Sequence, residues 1–191
     1  IGSRMFIEPK KQVNVGELIQ GMIVQSGNDA CIALAEVVAG SEANFADIMN
    51  KEAKRLGMKN THFTNTTGLP DPNHYTTAFD LSLLASAIIK QFPEFYPYYS
   101  QKEYTYNGIT QPNRNRLLWL DPHVDGMKTG WTKNAGYCLI TSASRDKRRL
   151  ISVVIGAKSD HARSAESQRL LNFGFQSYET LHLYKKNDTL T

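Results

Sequence analysis

The first half of the chain places apolar residues at the three-to-four-residue spacing of an amphipathic helix. The first such face comprises Val15, Leu18, Ile19, Met22 and Ile23. Asn14, followed three residues later by Glu17, is a capping-box start, and the pattern stops at Ser26-Gly27-Asn28. These three residues are therefore predicted to lie on a turn from which polar side chains can point into a cleft.

Three further segments continue this half of the chain. Residues 30–39 are apolar almost all round, which predicts a buried central helix. A third helix is predicted between Ser41 and Gly57, and a fourth begins at Thr77. Residues 58–76 show neither helical nor strand periodicity and are rich in Thr, Asn, Pro and Gly. They predict a long loop of the kind that is usually functional or mobile.

The second half of the chain is typical of strands. Asn107-Gly108 lies between two short β-prone runs and predicts a hairpin. Three more runs separated by turn-forming residues predict an antiparallel meander over residues 127–131, 137–142 and 150–157. A last helix is expected from about residue 162 to 175 and would cover that sheet. The order predicts an α+β domain whose antiparallel sheet is sandwiched by helices, with an additional helical cluster.

Composition restricts the choice of function. The chain has 191 residues, of which 41% are hydrophobic and 21% charged, as expected for one globular domain. Its net charge of +4 comes from scattered basic residues, so nucleic-acid binding is not predicted. No apolar run approaches the roughly 18 residues of a membrane span. Cys31 and Cys138 have no C-x-x-C neighbour, and no metal or cofactor is predicted.

Two short motifs carry the candidate chemistry, Ser26-Gly27-Asn28 and Lys128-Thr129-Gly130. Acyl transfer by a serine needs a nucleophile, a base, donors for the oxyanion and a proton for the leaving amine. Ser26 could relay a proton, Asn28 could hold a substrate amide, and Lys128 could supply positive charge and a proton path. Taken alone, Ser-x-Asn at a helix end is most often a cap, and Lys-Thr-Gly is a strand-edge turn. Their order and setting favour a functional site.

The strand that carries Lys128 offers three more groups to a substrate. Thr129 has a hydroxyl that can bond a carboxylate. Gly130 leaves room for a ligand backbone along the strand edge. The backbone N–H of Trp131 is a candidate oxyanion donor.

Several segments, in this order, resemble landmarks of the low-molecular-mass penicillin-binding proteins, the D-alanyl-D-alanine carboxypeptidases of bacterial cell-wall maturation. The segments are residues 25–31, 56–63, 113–119, 124–130, 135–137 and 163–167. The resemblance extends from about residue 5 to residue 180 and therefore covers nearly the whole chain. It implies a β-lactamase/DD-peptidase-like fold.

The resemblance also implies an activity and a set of site residues. The activity is removal of the terminal D-alanine from peptidoglycan stem pentapeptides, and β-lactams trap the enzyme as a stable acyl-enzyme. The resemblance also implies a location in the bacterial periplasm and no cofactor. The implied catalytic residues are Ser26, Asn28 and Lys128, and the implied substrate-binding residues are Thr129, Gly130, Trp131, Arg114 and Arg163. The two arginines are suited to the free carboxylate at the end of the substrate.

Three departures from the family pattern qualify this expectation. Trp131 stands where many relatives have His. The only Ser-x-x-Lys is Ser144-Arg-Asp-Lys147, in a predicted strand turn, whereas the family needs that motif well before Ser26. We therefore expect residues 1–179 to be a catalytic domain without its N-terminal segment, which could accompany this chain as a separate fragment. Residues 180–191 are expected to begin a β-rich domain that in relatives leads to a membrane anchor.

Two other functions remain open at this point. A class A β-lactamase needs a deacylating Glu in an Ω-type loop, and the loop at residues 68–75 offers only Asp71. A non-catalytic fragment would keep the fold and the substrate-binding or β-lactam-binding cleft without doing chemistry, and the missing Ser-x-x-Lys favours it for this chain.

Overall fold

A computed structural model describes residues 2–181 of the chain. Its helices are α1 (Val15–Val24), α2 (Asn28–Ala39), α3 (Glu42–Arg55), α4 (Ala78–Gln91), α5 (Leu117–Leu120) and α6 (Asp160–Ser177), with a 3-10 helix at Tyr96–Ser100. Its strands are β1 (Glu103–Tyr106), β2 (Ile109–Pro112), β3 (Val124–Thr132), β4 (Gly136–Arg145) and β5 (Arg148–Ala157). None of the helices within residues 2–181 has the length and apolarity needed to cross a membrane. The C-terminal domain expected from residue 180 lies outside the described residues, apart from its first two positions.

Polar side chains set the helix starts, and the sequence indicated them at Asn14, Ser41 and Thr77 but not at Ser159. Asn14 and Glu17 form both bonds of a capping box at α1. Ser41, Thr77 and Ser159 cap α3, α4 and α6, each accepting a hydrogen bond from a backbone N–H of the first turn. Local side-chain chemistry therefore fixes where four of the helices begin.

Strands β3, β4 and β5 form an antiparallel sheet in that order, with β3 at one edge. One face packs against α5 and α6 through residues that include Leu139, Leu171 and Phe175. The other face packs against α4 and the 3-10 helix through residues that include Met127, Ile140 and Tyr96. Neighbouring residues in β4 point to opposite faces, so both sides of the sheet are covered. The predicted α+β sandwich is confirmed.

A second, smaller cluster joins the helical part of the chain to the hairpin. Met5, Leu18 and Ala30 form its buried centre, and Tyr104 and Tyr106 of β1 pack against it. The hairpin turn at Asn107-Gly108 has φ of 49° and 74°, the two positive angles that this dipeptide tolerates. The hairpin and the additional helical cluster are both as predicted.

The structure corrects the sequence interpretation in two places. Helix α2 is not buried on all sides, because Val37 and Val38 are exposed although Ala30 and Ala35 are buried. Strand β3 begins at Val124 and not at residue 127, and its pairing with β4 is irregular between Val124 and Gly126. The irregular start interrupts the alternation from which strands are predicted.

Candidate active site

A cavity of about 1260 Å³ lies between the α1–α2 turn, the edge strand β3 and the loop at residues 66–70. All eight predicted site residues line it: Ser26, Asn28, Arg114, Lys128, Thr129, Gly130, Trp131 and Arg163. The two motifs are about a hundred residues apart in sequence, and the fold places them on facing walls. The chemical roles given to these residues remain predictions.

Ser26 contacts Lys128 across the cavity. Its Oγ accepts a hydrogen bond from Lys128 Nζ, and Lys128 Nζ also lies 3.2 Å from the carbonyl oxygen of Thr129. The backbone of Ser26 is left-handed, with φ of 57°, a conformation that non-glycine residues seldom adopt outside functional or turn positions. The N-cap of α2 is Gly27, with no side-chain capping bond. The helix-cap interpretation of Ser26 is therefore wrong.

Burial lowers the pKa of the Lys128 ammonium to about 8, and the charges of Arg114 and Arg163 act in the same direction. The ammonium is half-buried on the cavity wall and its neighbours are cationic, so it releases a proton more readily than a surface lysine. Burial also raises the pKa of the Cys31 thiol to about 11, so this cavity-lining thiol is neutral near pH 7. Lys128 is thus suited to moving a proton to or from Ser26 Oγ.

Asn28 is the first residue of α2, and its N–H donates to the carbonyl of Ser3 at 2.8 Å. The next residue, Asp29, accepts the backbone N–H groups of Met5 and Phe6, each at 2.8 Å, and of Ile7 at 3.2 Å. These bonds hold residues 2–7 against the Ser-Gly-Asn turn and place Gly2 and Ser3 on the cavity wall. Sequence reasoning missed this segment, because its pairing joins positions more than twenty residues apart and follows no periodicity.

The edge strand β3 supplies the opposite wall. A Cβ added to Gly130 would lie no closer than 3.7 Å to another protein atom, namely Cys138 Cβ, which is ordinary contact. Packing within the protein therefore does not require glycine at this position. Because β3 lies at the edge of the described sheet, the backbone groups on its outer side pair with no neighbouring strand. The carbonyls of Gly126 and Gly130 on this strand accept hydrogen bonds from the side chains of Asn115 and Arg163.

The two arginines differ sharply in their surroundings. Arg114 is exposed, and its guanidinium donates to Ser3 Oγ. Arg163 is only 5% exposed, and its Nη1 donates to the carbonyls of Gly130 at 3.1 Å and Cys138 at 3.3 Å. Asp160, at the start of α6, pairs with the other end of the Arg163 guanidinium. Arg114 can turn toward a ligand, whereas Arg163 is held by strands β3 and β4.

Trp131 closes the rim of the cavity. Its side chain is 59% exposed and its ring lies 5.8 Å from that of Tyr137, centroid to centroid. Tyr137 in turn lies under the Arg163 guanidinium, 5.5 Å from the ring centroid. The aromatic pair therefore gives the cavity mouth an apolar surface next to its cationic wall.

The fold is that of the penicillin-binding DD-peptidase class, and comparison with solved structures agrees. Penicillin-binding protein 5 from Haemophilus influenzae superposes with a TM-score of 0.89 at 48% identity over 92% of this chain and 52% of that one. The ampicillin-bound penicillin-binding protein D2 of Listeria monocytogenes superposes with a TM-score of 0.82 at 34% identity, over 90% of this chain and 72% of that one.

Sequence comparison specifies the family. A family model described as D-alanyl-D-alanine carboxypeptidase, peptidase S11, matches residues 1–159. The D-alanyl-D-alanine carboxypeptidase DacC of Escherichia coli is 52% identical over 188 residues, which are 98% of this chain and 47% of the relative. This chain therefore belongs to the S11 family of D-alanyl-D-alanine carboxypeptidases, and it spans about half the length of the curated relatives it matches.

Proposed function

We propose that this chain forms one side of the active site of a serine-type carboxypeptidase that removes the terminal D-alanine from peptidoglycan stem pentapeptides. The observation that carries the proposal is the contact between Lys128 Nζ and Ser26 Oγ within a cavity bordered by the Lys-Thr-Gly edge strand. Family membership supports it. We expect a protein with this activity to be acylated by β-lactams, and the Listeria relative has been solved in an ampicillin-bound form.

In this proposal Ser26 and Lys128 relay a proton. The attacking serine Oγ loses its proton as it bonds to the carbonyl carbon of the penultimate D-alanine, and the amide nitrogen of the leaving D-alanine gains one. Water then hydrolyses the ester and restores the serine. Lys128, with its lowered pKa, can exchange a proton with Ser26 on the leaving-group side. Asn28 would hold the amide of the stem peptide.

Recognition of the substrate would use strand β3 and Arg114. The substrate backbone would lie along β3 at Gly130, where no side chain is in the way. Thr129 and Arg114 would bond the terminal carboxylate, and the Trp131 N–H would stabilise the oxyanion. Arg163 would add positive charge beneath the same carboxylate.

The nucleophile would come from outside this sequence. Ser144, which opens the only Ser-x-x-Lys, is near the end of β4 and is not among the residues that line the cavity. Lys147 lies in the β4–β5 turn with φ of 64°. We therefore infer that residues 1–179 belong to a catalytic domain completed by a further segment that carries the Ser-x-x-Lys motif.

The site favours the peptidase over the two alternatives. Among the described residues that line the cavity there is no Glu or Asp that could serve as the deacylating base of a class A β-lactamase, and Asp71 lies outside the lining. Residues 1–191 by themselves would be non-catalytic without a nucleophile, but the bond between Lys128 and Ser26 supports catalysis in the protein that carries this chain. Because the proposed substrate is peptidoglycan, we propose that the protein acts in the periplasm at the inner membrane.

The test compares two lysines that line the same cavity in the protein that carries this chain. Lys128→Ala should lower the rate of acylation by a fluorescent penicillin by at least about a thousandfold, as expected when a group acting in proton transfer is removed. Lys133→Ala removes an equal charge from the exposed rim and serves as the matched control. Ser26→Ala should slow both acylation and deacylation. Undiminished acylation of Lys128→Ala would refute the proposal.

A further inference from the structure

Two buried asparagines flank Arg114 in the segment between the hairpin and α5. Asn115 is fully buried and Asn113 nearly so, whereas Arg114 between them is exposed. Amide side chains are rarely buried to this degree unless their hydrogen bonds are satisfied. The bonds that these two side chains make therefore show what they hold in place.

Asn113 ties the segment to the chain just before β1. Its N–H donates to the carbonyl of Lys102 at 2.7 Å, and its Nδ2 donates to the carbonyl of Gln101 at 3.0 Å. Its Oδ1 accepts the backbone N–H of Asn115 at 2.9 Å. The peptide units on both sides of Arg114 are thereby fixed.

Asn115 joins that segment to strand β3. Its Oδ1 accepts the N–H of Leu117, at the start of α5, at 3.2 Å. Its Nδ2 donates to the carbonyl of Gly126 at 3.0 Å. Gly126 lies two residues before Lys128, at the irregular start of β3. A Cβ on Gly126 would lie 2.5 Å from Tyr96 Oη, so the Tyr96 side chain approaches the strand closely at this point.

We propose that Asn115 is a positioning residue of the peptidase, whose side-chain amide joins the segment that carries Arg114 to the strand that presents Lys128. This inference rests on the proposed function. Arg114 precedes Asn115 directly, and Lys128 lies two residues after Gly126 on β3. A shift of the Gly126 carbonyl would therefore move the Lys128 ammonium relative to Ser26. Displacements of about 1 Å can cost about a hundredfold in rate.

Replacing Asn115 by Asp tests its hydrogen bond to Gly126 separately from its hydrogen bond to Leu117. A carboxylate still accepts the Leu117 N–H but faces the Gly126 carbonyl with a like partial charge, so the link to β3 is lost. Protonation of the carboxyl restores a donor, and burial raises the pKa of such a carboxyl. A fluorescent penicillin should acylate Asn115→Asp on the order of tenfold more slowly than the parent protein at about pH 7.5. This difference in acylation rate should shrink as the pH falls to about 5.5. Asn115→Ala, which has no group to protonate, should show the deficit at both pH values.

Hydrogen exchange gives a second measurement that needs no catalysis. Asn115→Ala should speed exchange of the amides in residues 127–132 and leave those of β5 unchanged. The matched control is Asn172→Ala on α6, away from the cavity. It removes the side-chain oxygen that accepts a 3.0 Å hydrogen bond from Arg145 of β4. The control should show neither the acylation deficit nor the faster exchange of β3.

The two measurements separate the possible failures. If the parent protein is not acylated, the proposed function fails, and exchange alone decides the role of Asn115. An Asn115→Asp deficit that does not change with pH, or β3 exchange in Asn115→Ala equal to that of the parent, would overturn the inference. Should Asn115→Ala fail to fold, the pH response of Asn115→Asp decides.

Discussion

Lys128 lies near the cationic side chains of Arg114 and Arg163 and donates a hydrogen bond to the Ser26 hydroxyl. Its pKa falls to about 8 mainly through burial, with Arg114 and Arg163 adding to the shift. The sequence motif predicted that this lysine would lie at the candidate site. It could not predict the lowered pKa, because both the burial and the nearness of the two arginines arise only from the fold.

Lys128 should therefore leave a pH signature in stability. The folded chain holds its ammonium with a pKa near 8, against an ordinary value of 10.5. Between these two pH values the unfolded chain binds more protons, so the free energy of unfolding should rise with pH. Because other groups also titrate there, Lys128→Met is the reference. Urea unfolding should show the parent gaining stability relative to Lys128→Met from pH 8 to pH 10, whereas a constant difference would contradict the lowered pKa.

The two arginines should respond differently to substitution, although the sequence suggested the same role for both. Exposed Arg114 can reach a ligand, so Arg114→Ala should raise the KM for a peptide ending in D-Ala-D-Ala by about tenfold. The KM for the same peptide with an amidated C-terminus should change little. Buried Arg163 holds the Gly130 carbonyl, so Arg163→Ala should lower kcat for both substrates. Steady-state kinetics on the two peptides decides. If Arg163→Ala lowered activity only on the peptide with a free carboxylate, Arg163 would instead bind the substrate carboxylate.

The loop at residues 58–76 shows how far element prediction from sequence can go. The absence of periodicity predicted a loop correctly, but it could not distinguish a mobile loop from a fixed one. In the structure residues 60–63 of this loop are anchored, because buried Asp80 accepts the Asn60 N–H and the Thr61 hydroxyl, and Asn50 makes two bonds to Phe63. These anchors come from helices that precede and follow the loop.

Asn65 shapes the part of this loop that lines the cavity. Its Oδ1 accepts the N–H groups of Thr67, Gly68 and Leu69, at 3.1, 2.8 and 3.2 Å. Asn65→Ala would leave these donors without their shared acceptor, at a cost of about 1–3 kcal/mol in unfolding free energy. The wall would also loosen, so faster hydrogen exchange should appear in residues 66–70, together with slower penicillin acylation. Unchanged exchange would show that the anchors at Asp80 and Asn50 suffice.

Helix caps and turns were the most predictable elements, since their signals are local. The capping box at Asn14 and the turn at Asn107-Gly108 follow from neighbouring residues alone. The exposed face of α2, at Val37 and Val38, was mispredicted because an apolar pattern does not say whether a partner is present to cover it. The 3-10 helix and the short α5 were missed, since each is a single turn or little more.

Within residues 2–181 the candidate site lies where a helical cluster meets the edge of a three-stranded sheet. The α1–α2 turn brings Ser26 from one side, and β3 brings Lys128 from the other. The sequence predicted both walls through their motifs and through family resemblance. It could not show that residues 2–7 return to the site, because Asp29 holds them there through backbone bonds.

The most direct test maps the penicillin adduct by peptide mass spectrometry in the protein that carries this chain. The adduct is expected on a serine outside residues 1–191. It should be lost in Lys128→Ala and kept in Lys133→Ala, and residues 1–191 alone should form none. An adduct on Ser26, Ser144 or any other serine of this sequence would contradict the placement of the nucleophile. Labelling that survives in Lys128→Ala would contradict the active site proposed for this cavity.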